Sequence, residues 1–328
     1  MSKKLIVVGF GFMGQTHAQN IVQHPDLELA GIVDAIDPKI ALKKSQGNVT
    51  TNRVDADVIA SVPYYKDLGE AIAAVKPDAV VIATPTMLHY KFAKITLEAG
   101  CNLFLEKPIC LDPNLCDELV ALAESKHLVF MAGHCVRFQK EFQYIKELVE
   151  KQTYGKPVYF HYSRYCGVPG WGCWTDPEVS AKSGGAMYDM AIHDTDCARV
   201  LFGNPDEISV MPYLRDRFGL MVVDTCWKYN NGPIVRVEAG FLAPHTMPFH
   251  KEFTAIFEKA TINSDMRGMT ISTEEGVKPV TLEEVDCYAA EMGAFAEYLK
   301  KGEMPLECSG KDATATIRIC TRFFNNKG

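Results

Sequence analysis

Leu5-Ile6-Val7-Val8-Gly9-Phe10-Gly11-Phe12-Met13-Gly14 is an apolar run of strand type that breaks into G-x-G-x-x-G and leads into a helix-like segment, Gln15 to Gln23. A second apolar run, Leu27 to Val33, ends at Asp34, twenty residues after Gly14. Alone, G-x-G-x-x-G is weak, because loops collect glycine. Between a strand and a helix, with an acidic residue at this distance, it is the dinucleotide fingerprint. The first glycine permits the tight turn, the second lets the backbone approach a pyrophosphate, and the third lets helix and strand pack closely. The helix start offers unpaired N–H groups to the phosphates. Gly9, Gly11, Phe12, Met13 and Gly14 are therefore expected at the cofactor. Asp34 can accept hydrogen bonds from both ribose hydroxyls of NAD and would repel a 2′-phosphate. Ala35 and Ile36 follow it, with no arginine beside it, so NAD is expected over NADP. The alternative is a solvated loop aspartate, such as Asp37.

A chain of 328 residues is long enough for two domains, and its 47% hydrophobic and 23% charged residues are ordinary for a soluble globular protein. The net charge of −7, without a basic block, gives no footprint for nucleic acid or an anionic membrane. Eleven cysteines are scattered without a C-x-x-C pair, which suggests reduced, mostly buried thiols in a cytoplasmic protein rather than a disulfide framework. Cys166 and Cys173 match no zinc spacing, and no metal is expected. Lys3-Lys4 and the apolar stretch after them resemble a signal peptide. That stretch is short, cut by Gly9 and Gly11, and lacks a small-residue cleavage site, so a buried first strand explains it better. No apolar run approaches membrane-spanning length.

The first third alternates strand and helix signals, as in a parallel sheet covered by helices. Ala79 to Ala83 is continuously apolar and ends at Thr84-Pro85; a helix from Leu88 to Ala99 stops at Gly100; Asn102 to Leu105 ends at Glu106-Lys107-Pro108. Asp112 and Pro113 read as the cap and first residue of a helix to about Lys126. Leu128 to Ala132 reads as the last strand of this unit. After about residue 135 longer strands follow: Val158 to Tyr162, Ile208 to Leu214, Met221 to Tyr229, Ile234 to Phe241, Phe253 to Phe257 and Met269 to Thr273. Asn231-Gly232 marks a hairpin. Helices are expected over Glu141 to Lys151, Leu282 to Lys300 and Lys311 to Asn325. Such a strand run suggests an open antiparallel or mixed sheet. Strands such as Met221 to Tyr229 read as apolar on both sides, so the outer face should be covered in a homodimer or homotetramer.

Two places carry chemistry. Lys107 ends a parallel strand, where open α/β sheets bind ligands, and Pro108 biases it to extended geometry; a surface turn is the alternative. In Ser183-Gly184-Gly185-Ala186-Met187-Tyr188-Asp189-Met190-Ala191-Ile192-His193-Asp194-Thr195-Asp196, Asp189 and His193 are four apart, and Asp196 is three beyond, on one side of a helix. A histidine oriented by a carboxylate can take a proton from an alcohol near neutral pH. A capping, salt-bridging helix start is the alternative.

With these motifs together, the chain resembles the Gfo/Idh/MocA oxidoreductases over nearly its whole length. The resemblance rests on G-x-G-x-x-G followed by His17, Asp34, A-T-P-x-x-x-H (Thr84, Pro85, His89), Glu106-Lys107-Pro108, Arg137-Phe138 and G-G-x-x-x-D-x-x-x-H. It implies Lys107, Asp189 and His193 as the catalytic set, and Thr84, Pro85, His89, Glu106 and Lys107 beside the cofactor. It implies an N-terminal Rossmann domain, here 1–125, and a substrate-binding and oligomerisation α+β domain with a large open, mostly antiparallel sheet, here 126–328. The last helix, 311–325, is expected to pack back on the first domain. Thr86 stands where many relatives have asparagine, and Ala186 where a third glycine is usual. The substrate side should hold Arg137, Tyr162, Arg164, Trp174, Asp176, Asp189, His193 and Asp196, with Trp171 nearby. Tryptophan beside charged groups suits a sugar or cyclitol, although both rings could instead pack the loop. The expected activity is NAD-dependent oxidation of a secondary hydroxyl of a sugar, sugar derivative or cyclitol. A redox-assisted glycosidase with tightly bound NAD and a non-catalytic dinucleotide-binding regulator are the alternatives.

Overall fold

The structure is a computed structural model that describes residues 2–44, 54–170, 172–211, 215–216, 219–220, 222–242, 244 and 246–325. Trp171, Leu214 and Met221 lie outside the described residues. The chain divides into two compact units. The first comprises the chain up to Cys135, residues 172–173 and Asp286–Ile317; the second comprises Val136–Gly170, Trp174–Val285 and the chain from Arg318.

The first unit is built on six strands: β1 (Lys3–Val8), β2 (Leu27–Val33), β3 (Tyr64–Tyr65), β4 (Ala79–Ile82), β5 (Asn102–Glu106) and β6 (Phe130–Gly133). They are all parallel in the order β3-β2-β1-β4-β5-β6. β4 and the last four residues of β1 are wholly buried, as expected of parallel strands covered on both faces. The covering helices are α1 (Phe12–Gln23), α2 (Pro38–Lys44), α3 (Ala56–Ser61), α4 (Leu68–Val75), α5 (His89–Glu98) and α6 (Pro113–Ser125). Asp112 caps α6, its side chain accepting from Asn114 N–H, with Pro113 in the first turn. The chain itself covers part of the edge at β6, where Ala132 N–H donates to Cys308 O at 2.7 Å.

The second unit carries α7 (Lys140–Lys151), β7 (Pro157–Gly167), α8 (Pro177–Lys182), α9 (Ile192–Phe202), β8 (Glu207–Val210), the short pair β9 (Arg215–Asp216) and β10 (Gly219–Leu220), β11 (Val222–Lys228), β12 (Ile234–Leu242), β13 (His250–Phe257), β14 (Thr261–Asp265), β15 (Gly268–Thr273) and β16 (Gly276–Val280). Eight strands form one sheet in the order β16-β15-β14-β13-β7-β12-β11-β8. It is antiparallel except where β12 runs parallel to β7. The expectation that Met221 to Tyr229 is apolar on both sides is corrected. In β11, Val223, Thr225 and Trp227 are buried, while Val222, Asp224, Cys226 and Lys228 alternate with them at half-buried or exposed positions. β11 buries one face only.

Two helices end the chain, α10 (Cys287–Lys301) and α11 (Gly310–Asn325). α10 starts five residues later than the apolar pattern suggests, because Asp286 caps it by accepting from Tyr288 and Ala289 N–H. In the first unit, the Phe295 ring meets Phe104 edge-on at 5.5 Å. α11 is divided between the units at Ile317; in the second unit Phe323 lies 6.0 Å from the Trp227 ring.

Candidate active site

In the first unit the strand order reverses between β1 and β4, and such a switch point is where open α/β sheets bind ligands. Gly9 follows β1 with φ +85° and packs on the loop after β4: a Cβ there would lie 2.6 Å from Ala83 O and 2.9 Å from Thr84 Cγ2. A Cβ at Gly14 would collide with the Gly9 carbonyl. Gly11 is the opposite case. It is exposed, and a Cβ there would meet nothing within 4 Å. Two glycines are therefore required by the protein's own packing, and the third opens a bare backbone at the start of α1. That helix has no side-chain cap and no acidic residue in its first turn, so its N–H groups suit an anion. Phe12 and Met13, at the same turn, are half-buried. The cradle fits the pyrophosphate of a dinucleotide.

Asp34 leaves β2 with its carboxylate held by backbone. Oδ2 accepts from Phe10 N–H at 2.6 Å and Oδ1 from Ile36 N–H at 2.7 Å. The acid is thereby tied to the fingerprint loop, with lone pairs remaining for ribose hydroxyls. Thr84 and Pro85 line the loop after β4, and Thr84 Oγ1 is buried with no hydrogen-bond partner among the described residues.

Lys107 directly follows β5, half-buried, in a cis peptide bond to Pro108. Its neighbours Glu106 and His89 are tied into the protein's own hydrogen bonds. Glu106 is buried, its Oε1 2.7 Å from His17 Nε2 and its Oε2 accepting from Lys107 N–H at 3.1 Å. Burial acts to raise the Glu106 pKa, but the His17 bond and the charges of His17, Lys107 and His89 outweigh it and hold the acid below the ordinary carboxylate value. His89 is 1% exposed, with Nδ1 2.7 Å from Pro108 O and Nε2 2.8 Å from Thr84 O. Its burial lowers the imidazole pKa against the two carbonyls and Glu106, which act to raise it.

In the second unit, Gly184 and Gly185 take φ +86° and +61°, and a Cβ at Gly184 would strike the Tyr188 ring. Ala186 is ordinary right-handed backbone at φ −58°, so the position needs no third glycine. Asp189 lies in a π-helical turn, Met187–Ala191, in which Ile192 N–H donates to Met187 O; α9 then begins and carries His193. Both side chains are half-buried. Such single π turns often mark functional sites.

The neighbouring charges are committed to one another. Arg137 grips Asp196 through two hydrogen bonds of 2.6 Å, and Arg164 grips Asp194 through bonds of 2.9 and 2.7 Å. All four are buried, and paired geometry of this kind offsets the desolvation of such charges. Arg137, Arg164 and Asp196 thus brace α9. Tyr162 is buried with its ring 6.2 Å from Phe253, and burial pushes its hydroxyl well above the ordinary value. Trp174 packs edge-on against Phe241 at 5.2 Å, and Asp176 caps α8 by accepting from Glu178 and Val179 N–H. Asp194 and the His17 partner of Glu106 escaped the sequence reading. The available signal was two aspartates two positions apart, Asp194 and Asp196, within one short helix.

The first unit is a dinucleotide-binding fold with a lysine at a strand end; the second presents an acid and a histidine on one helical stretch. Residues 3–134 match the family described as an oxidoreductase family with an NAD-binding Rossmann fold, and residues 142–263 match the GFO/IDH/MocA C-terminal domain. The chain belongs to the GFO/IDH/MocA family. It is 31% identical over 211 residues to a 2,7-anhydro-N-acetylneuraminate hydratase of Mediterraneibacter gnavus, covering 62% of this chain and 50% of that one. It is 30% identical over 221 residues to the D-glucoside 3-dehydrogenase of Escherichia coli, covering 66% and 58%. The matched stretch thus spans little more than half of these relatives. In fold it resembles a 3-ketoreductase from Actinomadura kijaniata in complex with NADP and TDP-benzene, with a TM-score of 0.83, 15% identity, and coverage of 99% of this chain and 98% of that one.

Proposed function

We propose that this protein is an NAD-dependent dehydrogenase of a secondary hydroxyl on a sugar, sugar derivative or cyclitol. The observation that carries the proposal is Lys107 at the carboxyl end of β5, in the same sheet whose β1 and β4 ends form the bare-backbone cradle at Gly11. The nicotinamide, when bound, supplies a hydride acceptor. Gly9, Gly11 and Gly14 with the start of α1 hold the pyrophosphate, and Asp34 holds the adenosine ribose. His193 takes the proton from the substrate hydroxyl, Asp189 orients His193, and Lys107 donates a hydrogen bond to the oxygen as negative charge develops there. The ten described cysteines carry free thiols, and no described helix is long and apolar enough to cross a membrane; the free thiols support a cytoplasmic setting. We further infer self-association as a homodimer or homotetramer, with the outer face of the eight-stranded sheet as its contact.

A second reading has one observation in its favour, the relative named a hydratase. In it the same residues serve a net non-redox reaction with retained NAD. The deciding experiment is a panel of polyols, sugars and sugar nucleotides assayed with NAD and with NADP. Steady NADH formation, about tenfold better with NAD because Asp34 opposes a 2′-phosphate, supports the dehydrogenase. Turnover without NADH supports the second reading. On the substrate found, Lys107→Met and His193→Ala should each lower kcat about a hundredfold. Near-normal turnover in both overturns the assigned roles.

A further inference from the structure

Lys107 is held from both sides. The residue before it, Glu106, gives one carboxylate oxygen to His17 Nε2 at 2.7 Å and the other to the Lys107 N–H at 3.1 Å. A carboxylate only accepts, so His17 Nε2 carries the proton. His17 is wholly buried on α1, its ring edge-on to Phe104 at 5.0 Å. On the other flank of the carboxylate, Gly133 leaves the room: a Cβ there would come within 3.2 Å of Glu106 Cδ and Oε2. The residue after Lys107 is Pro108, whose carbonyl oxygen lies 2.7 Å from His89 Nδ1, with Thr84 O 2.8 Å from Nε2; a neutral ring has one N–H, so it donates to one carbonyl at a time, to Pro108 O in the Nδ1–H tautomer. One histidine therefore joins the Lys107 segment to the helix of the G-x-G-x-x-G loop, and the other joins it to the loop after β4. The two rings and the carboxylate are buried, where polar contacts are strong and side chains have few alternatives.

We propose that His17 and His89 are positioning residues for Lys107, His17 acting through the Glu106 carboxylate and His89 through the Pro108 carbonyl. The clasp fixes where the Lys107 side chain leaves the strand. Neither histidine touches substrate. The proposal rests on the reading of Lys107 as the group that hydrogen-bonds the reacting oxygen.

The test separates the two. The full-length protein, with NAD added, is labelled with trace acetic anhydride, and the rate at each lysine is read by mass spectrometry in the parent and in Glu106→Gln, His17→Gln and His89→Gln. The Lys107 rate should change about threefold or more in each variant, because a side chain released from the clasp meets the reagent differently, with the other lysines unchanged. An unchanged Lys107 rate in all three overturns the clasp, whatever the activity. Glu106→Gln nearly preserves shape, so it keeps the test decisive if a histidine variant does not fold. With a substrate from the panel, each variant should lose about tenfold or more in kcat while KM for NAD changes little. In a Lys107→Met background the Glu106→Gln loss should disappear, because the two act as one unit. A full additive loss there makes Glu106 merely structural and overturns the proposal. Normal turnover of Lys107→Met alone overturns the catalytic reading, and the labelling result still decides the positioning one.

Discussion

Glu106 is a buried acid whose ionised form is favoured by His17 and by the nearby cations. Its folded pKa lies below its unfolded value of about 4.3, so the folded state holds fewer protons there. The stability it contributes is complete above that value and is lost as pH falls through it toward the folded value. Glu106→Gln should therefore be less stable than the parent at neutral pH, with the gap narrowing below about pH 4. Thermal unfolding over a pH series checks this, and a gap that stays constant into acid would show that the carboxylate's charge contributes nothing. The case also marks where the sequence was legible at this scale. The strand end and Lys107 could be read because neighbouring residues define them. The inward turn of Glu106 could not, because its partner lies 89 positions away. His89 is similar: its motif was readable, but its carbonyl partners exist only once the loops after β4 and β5 stand together.

Elements were readable in proportion to their length and caps. β2 falls exactly where its apolar run does, at Leu27–Val33, and α6 begins at the Asp112-Pro113 signal. The hairpin at Asn231-Gly232 joins β11 to β12, which pair antiparallel from Trp227–Val235 outward. α2, α3, α4 and α8 span only six to eight residues, about two turns, too few for a period to show. β16 was missed for another reason: it is an edge strand with Val277 70% exposed and Pro279 within it, so it carries no inward face to read. The stretch before α9 has its own requirement. At Gly184 an alanine would meet both the positive φ and the Tyr188 ring, whereas at Gly302, the left-handed end of α10, nothing lies within 4 Å. Gly302→Ala should cost about 1 kcal/mol. Gly184→Ala should cost about 2 kcal/mol or more and also lower kcat by displacing the turn that carries Asp189. Equal losses in urea unfolding would mean that Tyr188 yields and that the ring does not fix this turn.

At the scale of the whole molecule, the outer face of the eight-stranded sheet is the surface on which the proposed self-association can be tested. Register places Asp224, Glu238, Ser163 and Glu252 in one row across β11, β12, β7 and β13, and Cys226, Arg236, His161 and Thr254 in the next. Arg236 bridges the rows, bonding Asp224 at 3.1 and 3.0 Å and pairing with Glu238, while His161 Nε2 lies 2.8 Å from Glu238. Ile234 is 50% exposed beside them. Arg236 is the one permanent cation among these eight residues, beside Asp224, Glu238 and Glu252, so an ionic contact between copies would set one copy's Arg236 against the other's carboxylates. Because the face is polar, its association should be electrostatic rather than that of an apolar core. Sedimentation at micromolar concentration should show a dimer or tetramer in dilute buffer that weakens as salt rises, since exposed pairs are screened within about 8 Å at physiological ionic strength. Arg236→Glu makes both rows repel and should shift the population to monomer without altering the Lys107 labelling rate. A parent protein that is monomeric in dilute buffer, or an Arg236→Glu variant that assembles as the parent does, would remove this face as the contact.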